Sequence, residues 1–303
     1  MDEFKPSNKI IVNTKVSIGL AIYNEEKNIK NLIQLILSQS HKNFELIISD
    51  DCSEDKTYEI CNEFQIKDNR IKLYKHEKNI GVAKNFEFVF RKSDSNFFIW
   101  LAGDDTISKN YIEENLRVLL NNKNCVFAAS PNCFKGDENN YAKHFNFSIE
   151  GSLYDKGIFF LKNCLNATGC NFAIFKREVL ETVPEIGKRF LGHDWKVLTH
   201  ALSKGDFIRS KKGLLILGRE GLSASPDFMG KEIRRIIEHF LPLIEFSKFF
   251  FKRYIYLSNL SIFKKVKLLY FLARINLWFI FLKYLNILRK IIKKTNHHKL
   301  KNY

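Results

Sequence analysis

The sequence lacks several patterns that identify common classes of protein. Its six cysteines, at positions 52, 61, 125, 133, 164 and 170, include no CxxC pair and no paired metal spacing, which indicates ordinary thiols in a reducing compartment. Neither GxGxxG nor GxxxxGK[ST] occurs, so the glycine-rich phosphate-binding loops of dinucleotide-binding and P-loop proteins are absent. The first ten residues are polar and charged, so no secretory signal is predicted and we expect a cytoplasmic protein.

Acidic residues are scarce in the last quarter of the chain. Residues 231–303 contain 17 Lys and Arg against 3 Glu, which accounts for most of the formal net charge of +16. Because the preceding 230 residues are nearly balanced and the basic segment also holds long apolar runs, nucleic-acid binding is disfavoured. With 303 residues and 45% hydrophobic content, the chain can bury one substantial core and carry an appendage.

Apolar runs suited to buried strands alternate with helical periodicity in the first 130 residues. The predicted strands are 16–21, 44–49, 71–75, 97–103 and 126–129. The segments between them place apolar residues at helical spacing, as in 26–38 and 109–120. This alternation predicts an α/β fold with a mostly parallel, doubly wound sheet.

Carboxylates follow these strands at the points where the strands end. The second strand runs into Asp50 and Asp51, and the fourth, FFIWLAGDD, ends in Asp104 and Asp105. Ligands of open α/β sheets bind beyond the carboxyl ends of the strands, so we expect these acids to meet at one edge. Because adjacent carboxylates repel each other, a divalent metal that carries phosphate oxygens would account for the second pair. A turn whose Asp caps the following helix is the structural alternative.

The motifs at the strand ends resemble those of glycosyltransferase family 2, whose members have the GT-A fold and use nucleotide-sugar donors. The resemblance rests on YNE at 23–25, DDCSED at 50–55, NIG at 79–81 and the acidic pair at 104–105. It covers residues 14–130 well and 165–225 more loosely. It implies a Rossmann-like GT-A sheet and an inverting, metal-dependent enzyme of the bacterial surface-polysaccharide type, with Mg²⁺ or Mn²⁺ as the cofactor.

The resemblance also implies roles for individual residues. It predicts that the donor is bound by Ala21, Tyr23, Glu25, Asp50, Asp51, Lys84, Gly103, Asp104 and Arg219. Asp104 and Asp105 would bind the metal, although Ala102 occupies the position of the first acid in the family's Asp-x-Asp motif. Lys84 stands nearest to the position of a usual family Arg. Both Lys84 and Arg219 could instead be ordinary solvated surface residues.

Glycosyl transfer needs a group that accepts the proton of the attacking hydroxyl. The sequence GHDW at 192–195 matches the place where family members carry the catalytic acid, so the resemblance predicts Asp194 as the base. His193 is the rival, because an imidazole also exchanges protons near neutral pH. The structural alternative for Asp194 is a helix N-cap.

The predicted domains are an N-terminal extension (1–13), a GT-A catalytic domain (14–225) and an amphipathic basic helical tail (226–303). The catalytic domain divides into a nucleotide-sugar-binding part (14–130) and an acceptor side (131–225). In the tail, residues 261–294 read as one largely apolar helix that includes Arg274 and Lys283. Burying these two charges in a bilayer is costly, so the tail is predicted to lie on an anionic membrane surface. Packing on the catalytic domain or on a second copy in a homo-oligomer is the alternative.

These features predict a glycosyltransferase that is peripheral on the inner face of the cell membrane. It would move a sugar from a nucleotide-sugar donor to a hydroxyl of a lipid-linked glycan in surface polysaccharide or lipopolysaccharide synthesis. The alternative is a non-catalytic nucleotide-binding subunit of a membrane glycan-assembly complex, in which Ala102 marks lost metal affinity.

Overall fold

The computed structural model describes residues 8–139, 146–219, 238 and 240–300. These residues form ten strands: β1 (Val16–Ile22), β2 (Phe44–Asp50), β3 (Ile71–Lys75), β4 (Phe97–Leu101), β5 (Thr106–Ile107), β6 (Cys125–Ala129), β7 (Asn132–Phe134), β8 (Ile174–Lys176), β9 (Asp206–Arg209) and β10 (Leu215–Leu217). The α-helices with bounds are α1 (Asn8–Asn13), α2 (Ile29–Leu37), α3 (Thr57–Lys67), α4 (Val82–Lys92), α5 (Tyr111–Asn121), α6 (Leu153–Asn163), α7 (Arg177–Glu181), α8 (His193–Leu202), α9 (Ile244–Phe250) and α10 (Ile262–Leu300). The strands predicted from the sequence end within two residues of the observed ones.

Seven strands form the main sheet, in the order β3-β2-β1-β4-β8-β6-β9. β1 pairs in parallel with both β2 and β4, and β8 runs antiparallel to β4 and β6. Ile22 lies opposite Asp50, and Leu20 lies opposite Leu101, so the carboxyl ends of β1, β2 and β4 meet at one edge. The predicted mostly parallel α/β sheet is therefore confirmed.

Both faces of the sheet are covered, because successive side chains of a strand point to opposite faces. In β4, Phe98 and Trp100 belong to one buried cluster, and Ile99 and Leu101 belong to the other. The first cluster packs against α4, α6 and α8, and the second packs against α2 and α5. Burial on both faces explains why the central strands are apolar along their whole length instead of alternating.

A small second sheet lies beyond the carboxyl end of β4. Its order is β5-β10-β7, with β10 antiparallel to β5 and parallel to β7. β5 follows Asp105 directly in the chain, and β10 comes from more than a hundred residues later. This sheet therefore brings residues near 218 to the end of β4, where the sequence predicts the donor site.

The described part of the C-terminal tail packs into the main core. Phe246, Phe250 and Tyr254 are fully buried, and Tyr254 donates a hydrogen bond of 2.7 Å to the carbonyl oxygen of Thr199 in α8. The chain passes from α9 through a π-helical turn (Phe251–Tyr256) to the 39 residues of α10. The predicted boundary at 225 stays a prediction, because residues 220–237 lie outside the described part. The tail beyond it shares a core with the catalytic domain.

Within the described part of the chain, one helical stretch is long and apolar enough to cross a membrane by length and composition. It is Ile262–Leu285, in which an 18-residue segment has a mean hydropathy of 1.5 and is 22% buried within the protein. Leu268 and Leu272 of this stretch are buried against the domain. Packing on the catalytic domain, which the sequence left open as an alternative for the tail, is therefore observed along one side of α10.

Candidate active site

The two loops that follow β1 and β2 are joined by hydrogen bonds. The backbone N–H of Asn24 donates to Ser53 Oγ (2.9 Å), and the Asn24 side-chain oxygen accepts from the N–H of Glu54 (2.9 Å). The N–H of Glu25 donates to Thr57 Oγ1 (2.7 Å). Asn24 has a φ of 55°, in the left-handed region that asparagine tolerates better than most residues. Polar residues of the two sequence motifs thus shape the edge of the sheet.

Asp50 and Asp51 are both buried and both bonded inside the protein. The Asp50 carboxylate accepts from the backbone N–H and the hydroxyl of Ser53. The Asp51 carboxylate accepts from the N–H of Ile80 (2.7 Å) and the N–H of Gly81 (3.0 Å). Asp51 therefore positions the loop that leads into α4. Contact of either residue with a nucleobase stays a prediction.

The carboxylates at the end of β4 lie close to glycine backbones. Asp105 accepts from the N–H of Ala102 (3.0 Å) and from the N–H of Gly218 (3.2 Å), which ties β4 to the end of β10. A Cβ added to Gly218 would lie 1.9 Å from Asp104 Oδ2, and one added to Gly103 would lie 2.7 Å from the Glu25 carboxyl carbon. The glycines permit this close approach of acid side chains to the backbone. The N-cap of α5 is Asn110, so neither acid of the pair caps that helix.

Asp105 is the acid at this edge whose pKa is perturbed, and Asp104 is its neighbour in the chain. Burial raises the pKa of Asp105 to about 7; its two backbone N–H donors oppose the shift, and the charges of Asp104 and Glu25 add to it. Among the residues that the structure describes, no three His, Cys, Asp or Glu side chains converge as a metal cage. Mg²⁺ is commonly held by one or two carboxylates together with substrate phosphates. Asp104 therefore fits a metal that is bound jointly with a diphosphate.

A cavity of about 290 Å³ lies between the start of α4 and the start of α8. Its walls are mostly apolar and aromatic, and its polar members are Glu87, Asn171, Arg189, His193 and Asp194. The apolar members are Val82, Ala83, Phe86, Trp100, Phe172, Ile186, Phe190, Leu191 and Val197. Such a cavity, apolar with a few convergent polar groups, is typical of a small-molecule site.

Asp194 lies in the first turn of α8, at the wall of this cavity. The side chain is exposed, and one of its carboxylate oxygens accepts from Asn171 Nδ2 at 3.2 Å. The N-cap of α8 is Gly192, which has a φ of 85°, so the N-cap alternative for Asp194 does not hold. The position leaves the carboxylate accessible to a hydroxyl in the cavity.

His193 is held by the backbone of the preceding loop. Its Nε2 lies 2.5 Å from the carbonyl oxygen of Ile186, to which it donates, and its ring packs on Phe190. Because the carbonyl engages Nε2, only Nδ1 remains to accept a proton. Asp194 as the base, with His193 as its rival, stays a prediction.

The two predicted donor-binding cations lie away from this cavity. Lys84 is exposed on α4 and lines a separate open hollow with Lys188 and Arg91. Arg219 is 55% exposed and donates to Asp137 Oδ2 (2.6 Å) and to a backbone carbonyl oxygen (2.7 Å). Contact of either cation with the donor diphosphate stays a prediction.

The acids and the cavity share one edge of the sheet. β2 and β4 flank β1, so at about 4.8 Å per strand their carboxyl ends are about 10 Å apart, and Asp51 and Asp104 follow these ends in the chain. Asp51 holds Gly81, and the next residues, Val82 and Ala83, line the cavity. Ala21 and Tyr23 are predicted to flank the nucleobase. Ala21 lies near the end of the intervening strand β1, and Tyr23, which is 43% exposed, directly follows that strand.

Sequence reasoning missed most of the cavity wall, including Asn171, Trp100 and Phe86. Asn171 bonds to Asp194, and the indole N–H of Trp100 donates to the carbonyl oxygen of Phe86 at 3.0 Å, which fixes both aromatic residues in the wall. One signal was present, since Trp100 alternates with Ile99 and so faces α4. No sequence pattern pointed to the pairing of Asn171 with Asp194.

The sheet topology and the acids at its edge define the GT-A class of glycosyltransferase fold. The sequence model described as "Glycosyl transferase family 2" matches residues 17–183, more than half of the chain. The protein therefore belongs to glycosyl transferase family 2, and the resemblance read from the motifs is confirmed.

Named relatives match the same region. A Bacillus subtilis protein named as a teichuronic acid biosynthesis glycosyltransferase, TuaG, is 28% identical over 163 residues, which cover 54% of this chain and 62% of that protein. Glycosyltransferase GlyA of Streptococcus pneumoniae is 25% identical over 147 residues, covering 48% and 20% of the two chains. The match thus spans less than two thirds of these relatives' own length.

Two solved structures share the fold. Staphylococcus aureus TarS 1-349 in complex with UDP-GlcNAc has a TM-score of 0.54 at 17% identity, covering 85% of this chain and 79% of that one. The mannosyltransferase PcManGT from Pyrobaculum calidifontis, in complex with GDP-Man and Mn²⁺, has a TM-score of 0.54 at 14% identity, covering 86% and 74%. At these identities the similarity establishes the GT-A fold alone.

Proposed function

We propose that this protein is an inverting glycosyltransferase that moves a sugar from a nucleoside-diphosphate-sugar to a hydroxyl of a lipid-linked glycan. The observation that carries the proposal is the accessible carboxylate of Asp194, which faces a cavity at the sheet edge where Asp51 and Asp104 also lie. The named role of TuaG in teichuronic acid biosynthesis supports a pathway of surface polysaccharide or lipopolysaccharide synthesis.

In this mechanism the acceptor hydroxyl attacks the anomeric carbon from the side opposite the diphosphate. The new carbon–oxygen bond forms as the bond to the diphosphate oxygen breaks, and the hydroxyl proton passes to the Asp194 carboxylate. Asn171 donates to one Asp194 oxygen and so helps to hold the carboxylate at the cavity wall, where it would accept the proton. A single displacement of this kind inverts the configuration at the anomeric carbon.

The donor would lie along the ends of β1, β2 and β4. Structures with the same fold that hold UDP-GlcNAc and GDP-Man support a nucleotide-sugar as the donor. Asp51 would contribute by holding the loop at Ile80 and Gly81 in place beside the nucleotide. Asp104 would hold Mg²⁺ or Mn²⁺ together with the diphosphate, and the metal would neutralise charge on the leaving group when bound.

The test is the Asp194→Asn variant of the full chain. We expect turnover to fall by about 10² to 10⁴-fold, because the amide cannot accept the proton, while the donor Kd stays unchanged. The matched control is Glu178→Gln, an exposed acid in the first turn of α7 and outside the cavity wall, which should behave as wild type. Retained turnover in Asp194→Asn would assign the base to another residue.

The second candidate is a non-catalytic nucleotide-binding subunit, and the observation that favours it is Ala102 at the first position of the acidic motif. Hydrolysis of a nucleotide-sugar panel with and without Mn²⁺ separates the two candidates. Under the proposal the enzyme would also transfer the sugar slowly to water when no acceptor is present, whereas a subunit that only binds nucleotide would release no sugar. Metal-independent hydrolysis would retain the enzyme and remove the metal from the proposal.

We further propose peripheral attachment to the inner face of the cell membrane through residues 231–303. The support is the charge of this segment, 17 Lys and Arg against 3 Glu, beside long apolar runs. Each basic residue near an anionic surface contributes about 1 kcal/mol of attraction. Attachment would bring the enzyme to a lipid-linked acceptor.

A further inference from the structure

α10 presents two different apolar faces over Ile262–Leu285. One face holds Leu268, Leu272, Ile275 and Phe279, which are all less than 10% exposed. At about 100° per residue these four side chains fall within about 60° of each other and form a continuous stripe. The stripe spans about 16 Å along the helix at 1.5 Å per residue.

This buried stripe attaches α10 firmly to the domain. Leu268 packs near Gly157 of α6, and the ring of Phe279 lies 5.6 Å from that of Trp195, the residue after Asp194. Asn276 Nδ2 adds a hydrogen bond of 2.9 Å to Ser247 Oγ of α9. α10 is therefore part of the folded domain, in direct contact with the helix that carries the candidate base.

The opposite face of the same helix is apolar and exposed. Val266, Leu277 and Tyr284 are 55%, 65% and 49% exposed, and they fall within about 20° of one line, roughly opposite the buried stripe. Further exposed apolar residues of this stretch are Ile262, Phe263, Leu269, Tyr270, Trp278 and Phe281. Exposed apolar surface of this extent marks an interaction site on a protein.

Basic residues border the exposed face and identify its partner. Lys267 and Arg274 fall along one border, and Lys265 and Lys283 fall along the other. α10 carries ten Lys and Arg and no acid in its 39 residues. A second copy of this helix would oppose like charges, whereas anionic lipid headgroups complement both borders. Tyrosine and tryptophan among the apolar residues suit the headgroup region of a bilayer.

We infer that the exposed face of α10 is a preformed docking surface for an anionic lipid bilayer, with the helix lying in the membrane plane while its buried stripe stays on the domain. This inference rests on the proposed membrane attachment and deepens it, since docking occurs through an integral helix and not through a detachable tether. A spanning arrangement would strip the buried stripe from α6, α8 and α9. Docking in the plane keeps those contacts and sets the distance of Asp194 from the membrane.

The test compares full-length wild type with the Leu277→Gln, Phe281→Gln double variant in vesicle flotation. Vesicles of phosphatidylcholine alone are compared with vesicles of phosphatidylcholine and phosphatidylglycerol in equal parts, without any donor present. We expect wild type to bind the anionic vesicles and the variant to bind at least about tenfold more weakly, because two large apolar contacts are lost. The matched control is Ile66→Gln on α3, 77% exposed beside β3 at the far edge of the sheet, which should bind as wild type.

Three outcomes overturn the inference. The first is that the wild-type protein does not bind anionic vesicles, and the second is that the double variant binds them as well as wild type does. The third is that the Tm or the oligomeric state of the double variant differs from that of wild type, which would show that protein covers this face. An unchanged Tm and a monomeric variant that loses binding support it. Because vesicle binding is measured without donor, the binding result can be interpreted even if the protein has no transferase activity.

Discussion

Replacing Asp51 with Asn tests what this acid does in the folded protein. Its two oxygens each accept one backbone N–H, from Ile80 at 2.7 Å and from Gly81 at 3.0 Å, and the residue is 3% exposed. The asparagine keeps one acceptor oxygen, but its NH₂ group faces the other N–H and leaves that donor unpaired. A hydrogen bond to a charged group contributes about 1.5 to 3 kcal/mol, and the charge near the start of α4 adds about 0.3 to 1 kcal/mol. The expected loss of stability is therefore about 2 to 4 kcal/mol.

Thermal unfolding measures this loss directly. For a chain of this size we expect Tm to fall by roughly 4 to 8 °C, and nucleotide binding to weaken as the loop before α4 loosens. The control is Glu54→Gln, an exposed acid of the same loop, which should leave Tm within about 1 °C. If Asp51→Asn keeps the wild-type Tm and loses only nucleotide affinity, the carboxylate binds the nucleobase and does not stabilise the loop. That result would refute the reasoning above.

Three further changes test other parts of the structure. Gly218→Ala places a Cβ 1.9 Å from Asp104 Oδ2 and should rotate that carboxylate, so the Mn²⁺ concentration needed for half-maximal donor hydrolysis should rise at least about tenfold with little change in Tm. Burial opposes ionisation of Glu45, but hydrogen bonds led by that from Lys72 lower its pKa from 4.5 to about 2. Glu45→Gln should therefore lower the free energy of unfolding by about 2 to 3 kcal/mol at pH 6, measured by urea unfolding. The difference in stability from wild type should vanish as the pH falls from about 4.5 to 2, because Glu45 of the wild type is then protonated. Leu272→Ala on the buried stripe of α10 should lower the free energy of unfolding by about 2 to 4 kcal/mol in the same assay. If the tail were only a tether for the domain, this substitution would leave the free energy of unfolding unchanged.

The positions of the first strands along the chain were predictable because each of these strands is a local apolar run. The runs at 44–49 and 97–103 are long enough for buried strands, and the acids that end them mark the edge where a ligand binds. The four motifs also led to the correct family, because their order along the chain is far more specific than any one of them.

The partners of those acids were not predictable. Asp51 bonds to groups 29 and 30 residues away, and Asp105 bonds to an N–H 113 residues away. Such pairs form only when the sheet brings distant segments together, and no local periodicity reports them. For the same reason the bond from Asn171 to Asp194 left no trace in the sequence.

The two faces of α10 also separate what the sequence predicts from what the tertiary structure decides. A helical wheel of residues 261–294 revealed an apolar helix with a few polar positions, and it left membrane and protein contacts as alternatives. Only packing against α6, α8 and α9 distinguishes Leu272, which is buried, from Leu277, which is 65% exposed. Sequence by itself determined the kind of fold, the family and the acidic edge, because these follow from local pattern and motif order. Tertiary structure alone decided which carboxylates support the backbone, where the cavity lies and which side of α10 remains open, because those depend on contacts between segments far apart in the chain.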